Sequence, residues 1–132
     1  MNRRVSLPAH IATWITRQLP LDDLGTVQIY VRPRIPFWWL MPHRVFSGLT
    51  LWNRIYLAES CWHGERVSRA SLEIVFHELV HVVQYRRNPL TFPVRYVMDY
   101  LRYGYYRNPA EVEARETATR LIESFFANGE AV

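Results

Sequence analysis

The sequence predicts an α+β fold with its helices gathered towards the C-terminal half. Three observations lead there. Apolar residues recur at helical spacing near the N-terminus, they alternate with a period of two in the middle, and three helical segments close the chain. A length of 132 residues supports one compact domain, taken as residues 1–132. Hydrophobic residues make up 49% and charged residues 21%, close to globular averages, which excludes general disorder.

The elements follow in order. Pro8 to Leu19 carries Ile11, Trp14, Ile15 and Leu19 on one stripe and is closed by Pro20. Val27, Ile29 and Val31 alternate with Gln28, Tyr30 and Arg32, so 26–32 reads as a strand. The proline-bounded aromatic stretch Arg34 to Pro42 reads as a loop. Leu49 to Trp52 and Ile55 to Leu57 flank Asn53-Arg54, a pattern that fits a hairpin or one long strand, and Glu59 to Gly64 is a connector. A strong helix follows, capped by Ser68 or Ser71 and stopped near Arg87 by Asn88-Pro89. A second starts near Pro93, carries Val94, Val97, Met98 and Leu101 on one side and ends near Gly104. The third starts at Asn108-Pro109 and runs to about Ala127, before Asn128-Gly129.

Composition narrows the function. The single cysteine, Cys61, excludes an intrachain disulfide and a multi-cysteine zinc site. It reads as a small packed residue, and the absence of a leader-like apolar segment adds to an expectation of a cytoplasmic protein. The longest apolar stretch, Ile35 to Pro42, is far shorter than the roughly 20 residues of a membrane-spanning helix. All 16 basic residues are arginine and the net charge is +4. The arginines are scattered, with no run resembling a nucleic-acid tail. They read as a solvated surface, with an anionic partner surface as the alternative.

Chemistry concentrates in His77-Glu78-Leu79-Val80-His81. Histidines at i and i+4 share a helix face and can direct two ring nitrogens at one Zn²⁺ ion. Glu78, about 100° around the helix, is placed to act as general base and acid on a water. The helix is apolar nearly all round, and such groups are costly in a buried helix unless paired or metal-bound. A third ligand is needed, and His10, His43, His63, Asp99, Glu111, Glu113 and Glu116 are candidates. Glu111 shares a face with Ala114, Ala118, Leu121, Ile122 and Phe125, so it points inward, whereas Glu113 lines up with Thr117, Arg120 and Ser124 on the polar face. Glu111 also stands where a capping-box glutamate would fold back onto the Asn108 amide, a second reading. His63 is the next ligand candidate.

The run His77 to Gln84, followed by Asn108-Pro109-Ala110-Glu111-Val112-Glu113-Ala114, resembles the small bacterial gluzincin-type zinc metallopeptidases with an H-E-L-x-H-V-x-Q helix, several known only as domains of unknown function. The resemblance covers about Leu49 to Phe126. It implies a minimal zincin-like domain, one zinc per chain held by His77, His81 and Glu111, Glu78 as catalytic base, and a peptide or protein substrate. Gluzincins often follow E-x-x-A with an acidic or amide residue that supports the first histidine. Arg115 stands there and cannot accept its N–H, so another acceptor must orient His77. The resemblance also implies an edge strand over Leu49 to Leu57 that binds extended peptide by β-addition. Tyr103, Tyr105, Tyr106 and Arg107 are candidates for oxyanion or substrate contact, with packing as their other reading. A zinc-stabilised binding module without turnover is the alternative function.

Overall fold

The computed structural model describes residues 3–21, 25–35, 48–62 and 67–128. The elements are β1 (Arg3–Val5), α1 (Ala9–Gln18), β2 (Gln28–Arg32), β3 (Gly48–Leu51), β4 (Arg54–Ala58), α2 (Arg69–Arg87), α3 (Thr91–Arg107) and α4 (Pro109–Ala127), with a 3₁₀ turn at Glu59–Cys61. The fold is α+β, as expected, and the sheet is mixed. Its order is β1-β2-β4-β3, with β2 and β4 parallel and the outer pairs antiparallel. Residues 36–42 of the aromatic stretch, His43 and His63 lie outside the described residues.

The period-two pattern places Ile29, Val31, Ile55 and Leu57 on the buried face of the sheet. Tyr30 and Tyr56 stack on the other face at 5.6 Å between centroids. Helix α2 lies against the buried face through side chains that include Leu72, Val75, Phe76, Leu79 and Val82, all at 0% exposure. Trp14 of α1 meets Phe76 of α2 at 5.9 Å and Phe125 of α4 at 5.1 Å, so three helices share one aromatic junction. Burial of a phenylalanine there contributes on the order of 1.5–3 kcal/mol.

Three local features place the site. Ser68 caps α2, its hydroxyl accepting from Ser71 N at 3.1 Å, which sets the helix phase two turns before His77. The segment 49–57 is a hairpin rather than one long strand, with Leu51 opposite Arg54 across the two-residue turn Trp52-Asn53. Within this hairpin β3 lies at the sheet edge while β4 is internal, which corrects the expectation of an edge strand over the whole of Leu49 to Leu57. Trp52 takes φ 53°, a region unfavourable to a bulky residue. Its indole N–H donates to Pro89 O at 2.8 Å and its ring lies 5.2 Å from Tyr85, which hold it there. At Gly104 the backbone turns to φ 82° and ends the regular part of α3, so Asn108 can start α4 at a new angle.

Helix α3 departs from the usual use of an apolar stripe. Val94, Val97, Met98 and Leu101 face outward, and none of the residues of α3 is buried. Among the described residues no helix is long and apolar enough to cross a membrane.

Candidate metal centre

Helix α2 presents His77 and His81 on one face, as the i, i+4 spacing requires. Helix α4 brings Glu111 against them. Glu111 Oε1 stands 2.8 Å from His77 Nε2 and 3.1 Å from His81 Nε2. Glu111 is 3% exposed and His81 6%, while the His77 side chain is 17% exposed, so the meeting is largely buried. The capping-box reading of Glu111 is overturned. Asn108 caps α4 with its own side chain, accepting from Ala110 N at 3.1 Å, and the Asn108 amide donates to Tyr105 O. The Glu111 carboxylate is turned to the histidines instead.

His77, Glu78 and His81 each offer an atom within 4.8 Å of the others, which on distance alone would make Glu78 the third donor. Glu111 has the stronger claim. Its Oε1 touches both ring nitrogens, whereas Glu78 commits Oε2 to the Thr50 hydroxyl at 2.8 Å. That bond ties Glu78 to the edge strand β3. Gly48 permits it: a Cβ there would come within 3.0 Å of Glu78 Oε1.

The surrounding hydrogen bonds define the donor set. Gln84 Nε2 donates to Ala110 O at 3.1 Å and to Glu113 Oε1 at 2.8 Å. Both partners are acceptors, so the Gln84 oxygen must be the atom 2.7 Å from His81 Nδ1. That nitrogen therefore carries a proton; Nε2 donates to Glu111 while the ring is protonated and is the nitrogen left to bind a metal when the ring is neutral. The second carboxylate oxygen, Glu111 Oε2, accepts from the Tyr96 hydroxyl at 2.5 Å.

Burial and charge act in opposite directions here. Burial raises the Glu111 carboxyl, but the bonds from His77, His81 and Tyr96 and the charge of His81 outweigh it and hold the group well below the usual carboxylate range. Burial lowers His81, but Glu111, Glu78 and Gln84 outweigh it and bring the ring up to about 9. For Glu78, burial dominates and raises the carboxyl, with the histidines and Thr50 pulling back. Burial and the nearby Glu111 also raise the Tyr96 and Tyr105 phenols, which stay protonated as donors.

The residues fit a His₂Glu zinc site. Bonds of about 2.0–2.1 Å in a tetrahedral arrangement place donor atoms about 3.3–3.4 Å apart. The observed 2.8 and 3.1 Å separations need to open by about half an ångström and about a quarter of an ångström.

The site opens on a cleft of about 370 Å³ between β3 and α3. Thr50, Glu78, His81 and Glu111 provide its polar end, and Leu49, Leu51, Trp52, Tyr85, Phe92 and Val97 line much of the rest.

Other expected residues stand elsewhere. Of the four oxyanion or substrate candidates, Tyr105 lines the cleft. Tyr103 and Tyr106 are exposed, as is Arg107. Arg115 takes no part in orienting His77. It donates to Tyr106 O at 2.8 Å and lies 4.0 Å over the Tyr106 ring. His10 is exposed on α1, and Glu116 is exposed on α4. Asp99 pairs with Arg95 at 3.8 Å, and Glu113 serves Gln84. Cys61 is half-buried, its sulfur 3.7 Å from Ser60 Oγ. Sequence reasoning missed Tyr96, Thr50 and Gly48, all brought in by long-range packing. Gln84 had a usable signal, since it lies one helical turn beyond His81.

Comparison of the chain with protein-family models, with curated proteins and with solved structures gives no match.

Proposed function

We propose that this chain is a zinc-dependent peptide hydrolase, with His77, His81 and Glu111 holding one ion and Glu78 handling the proton. The observation that carries the reading is the convergence of both His Nε2 atoms on Glu111 Oε1 at the polar end of a cleft beside a sheet edge. A Zn²⁺ ion bound there supplies Lewis acidity, polarising a carbonyl and acidifying a water.

The protein's own groups do the rest. Gln84 fixes the His81 tautomer, and Tyr96 anchors the far oxygen of Glu111. Glu78, raised by burial, takes a proton from the attacking water at its carboxylate and returns it to the leaving nitrogen. The Tyr105 phenol stays protonated on the cleft wall and is a donor to Glu111, a second support for that carboxylate beside Tyr96. Strand β3 pairs with β4 on one side only among the described residues. Its other edge suits an extended peptide, with an apolar side chain of that peptide in the cleft.

The test is zinc stoichiometry by native mass spectrometry, followed by hydrolysis of a mixed peptide library. Wild type and Glu78→Gln should each hold about one zinc per chain, and Glu111→Ala much less. Only the wild type should cleave. A wild type that holds zinc but cleaves nothing would make the chain a zinc-stabilised binding module, and one that takes up no metal after reconstitution would remove both readings.

A further inference from the structure

Helix α3 combines two features that stand together nowhere else among the described residues. The first is exposed apolar area. Leu90, Val94, Val97, Met98 and Leu101 are 82%, 60%, 55%, 64% and 79% exposed. Their spacing puts them on one side of the helix, away from Phe92 and Tyr96, which face the cleft and Glu111. With Tyr103 and Tyr106 they make seven of the eight large hydrophobic residues that stand exposed among the described residues. The eighth, Trp52, is tied to Pro89 at the start of the same segment.

The second feature is charge. Residues 86–107 hold five arginines and one acidic residue, Asp99, a balance of +4. Residues 1–58 are also basic, with seven arginines and two aspartates, but among the described residues only this segment sets its arginines beside an exposed apolar stripe. Helical geometry sets Arg95 and Arg102 together along one border of the apolar stripe. The Arg95 side chain is 84% exposed, and Arg102 lies 5.2 Å over the Tyr103 ring.

We infer that the outer face of α3 docks on an anionic lipid bilayer surface, with the apolar stripe entering the headgroup boundary and the arginines meeting lipid phosphates. An apolar stripe bordered by arginine and tyrosine is the composition of an interfacial helix. A nucleic acid would meet the arginines but would leave the stripe in water, because such interfaces are polar and wet. A second copy would cover the stripe but would bring a second set of the same cations to it. Val97 belongs to both the stripe and the cleft lining, and Pro93 and Tyr100 line the cleft beside it, so docking would set the cleft mouth beside the lipid. The surface would bind lipid whether or not the cleft hydrolyses peptides.

The test is cosedimentation of the full chain with vesicles of equal parts phosphatidylcholine and phosphatidylglycerol, against phosphatidylcholine alone. Wild type should sediment with the anionic vesicles and be released by salt. Met98→Glu/Leu101→Glu, at exposed positions that leave the core intact, should weaken partitioning at least about tenfold. Arg95→Gln/Arg102→Gln should weaken it about fivefold for each arginine removed, with circular dichroism checking that both variants fold. Wild type that stays in solution, or a Met98→Glu/Leu101→Glu variant that partitions equally, would overturn the inference. So would a lipid-free dimer that this variant dissociates in sedimentation velocity, which would give the face to a second copy.

Discussion

Gln84 Oε1 accepts the Nδ1 proton of His81 at 2.7 Å, and the orientation of Gln84 is itself forced by its two donor bonds to Ala110 O and Glu113. One turn of helix thus sets which nitrogen of His81 faces Glu111. Removing the acceptor frees the tautomer. Gln84→Ala should lower zinc affinity by about 10–100-fold, read by competition with a chromophoric chelator. Gln84→Glu, which keeps an acceptor, should retain most of it. Equal affinity in the alanine variant would show that the ring needs no outer partner.

The phenol of Tyr96 donates to a carboxylate that is otherwise enclosed. Tyr96→Phe removes that donor while His77, His81 and Tyr105 keep theirs, and a hydrogen bond to a charged group contributes about 1.5–3 kcal/mol. Urea unfolding in the presence of chelator should report a loss of this size. A phenylalanine variant as stable as wild type would remove Tyr96 from the site's support.

Stability in chelator should depend on pH through the same cluster. The His81 ring rises from 6.5 to about 9 on folding, through Glu111, Glu78 and Gln84 against the opposing effect of burial. Its contribution is therefore complete below pH 6.5 and is lost as pH rises through about 9. Glu111 falls below its ordinary 4.5, so its contribution is present above that value and is lost as pH drops through the lowered one. His81 and Glu111 alone would give a plateau between about pH 4.5 and 6.5, but Glu78, raised by burial, favours the fold less as pH rises above 4.5, so unfolding free energies should decline from there and further through about pH 9. Saturating zinc takes the place of the His81 proton and should flatten the alkaline decline. An alkaline decline that His81→Gln leaves unchanged would place its origin elsewhere.

Gly48 is a contact rather than a hinge. A methyl group there meets Glu78 Oε1 at 3.0 Å, with the Glu78 Cγ and Cδ at 3.1 Å. If Glu78 is the base of the proposed hydrolysis, Gly48→Ala should displace it and cut cleavage about tenfold or more, with zinc content unchanged. Thr50→Val, which deletes the donor to Glu78 Oε2, should act in the same direction. Loss of zinc in either variant would mean that Glu78 and β3 support the ligands rather than the proton transfer.

Much of this arrangement was legible in local sequence. The His77/His81 pair, the inward face of Glu111, the Asn108-Pro109 start of α4 and the Asn88-Pro89 stop of α2 all follow from helical spacing and capping chemistry. These rules act over four or five residues, and such information survives in a linear string. The choice between a hairpin and one long strand at 49–57 could not be read in this way. It rests on Trp52 accepting a left-handed backbone, and its partners Pro89 and Tyr85 lie more than thirty residues away.

Helix α3 marks the same boundary most clearly. Its aliphatic stripe at Val94, Val97, Met98 and Leu101 and its aromatic stripe at Phe92 and Tyr96 are both written in the sequence, and periodicity alone favours burying the aliphatic one. The fold turns the aromatic side inward instead. Glu111 is a carboxylate shut away from water, and it requires a donor that Tyr96 has and valine lacks. The sequence therefore settled which residues could carry the chemistry. The packing of α3 and β3 against α2 and α4 settled which of them meet, because a buried charge selects its partners across the chain.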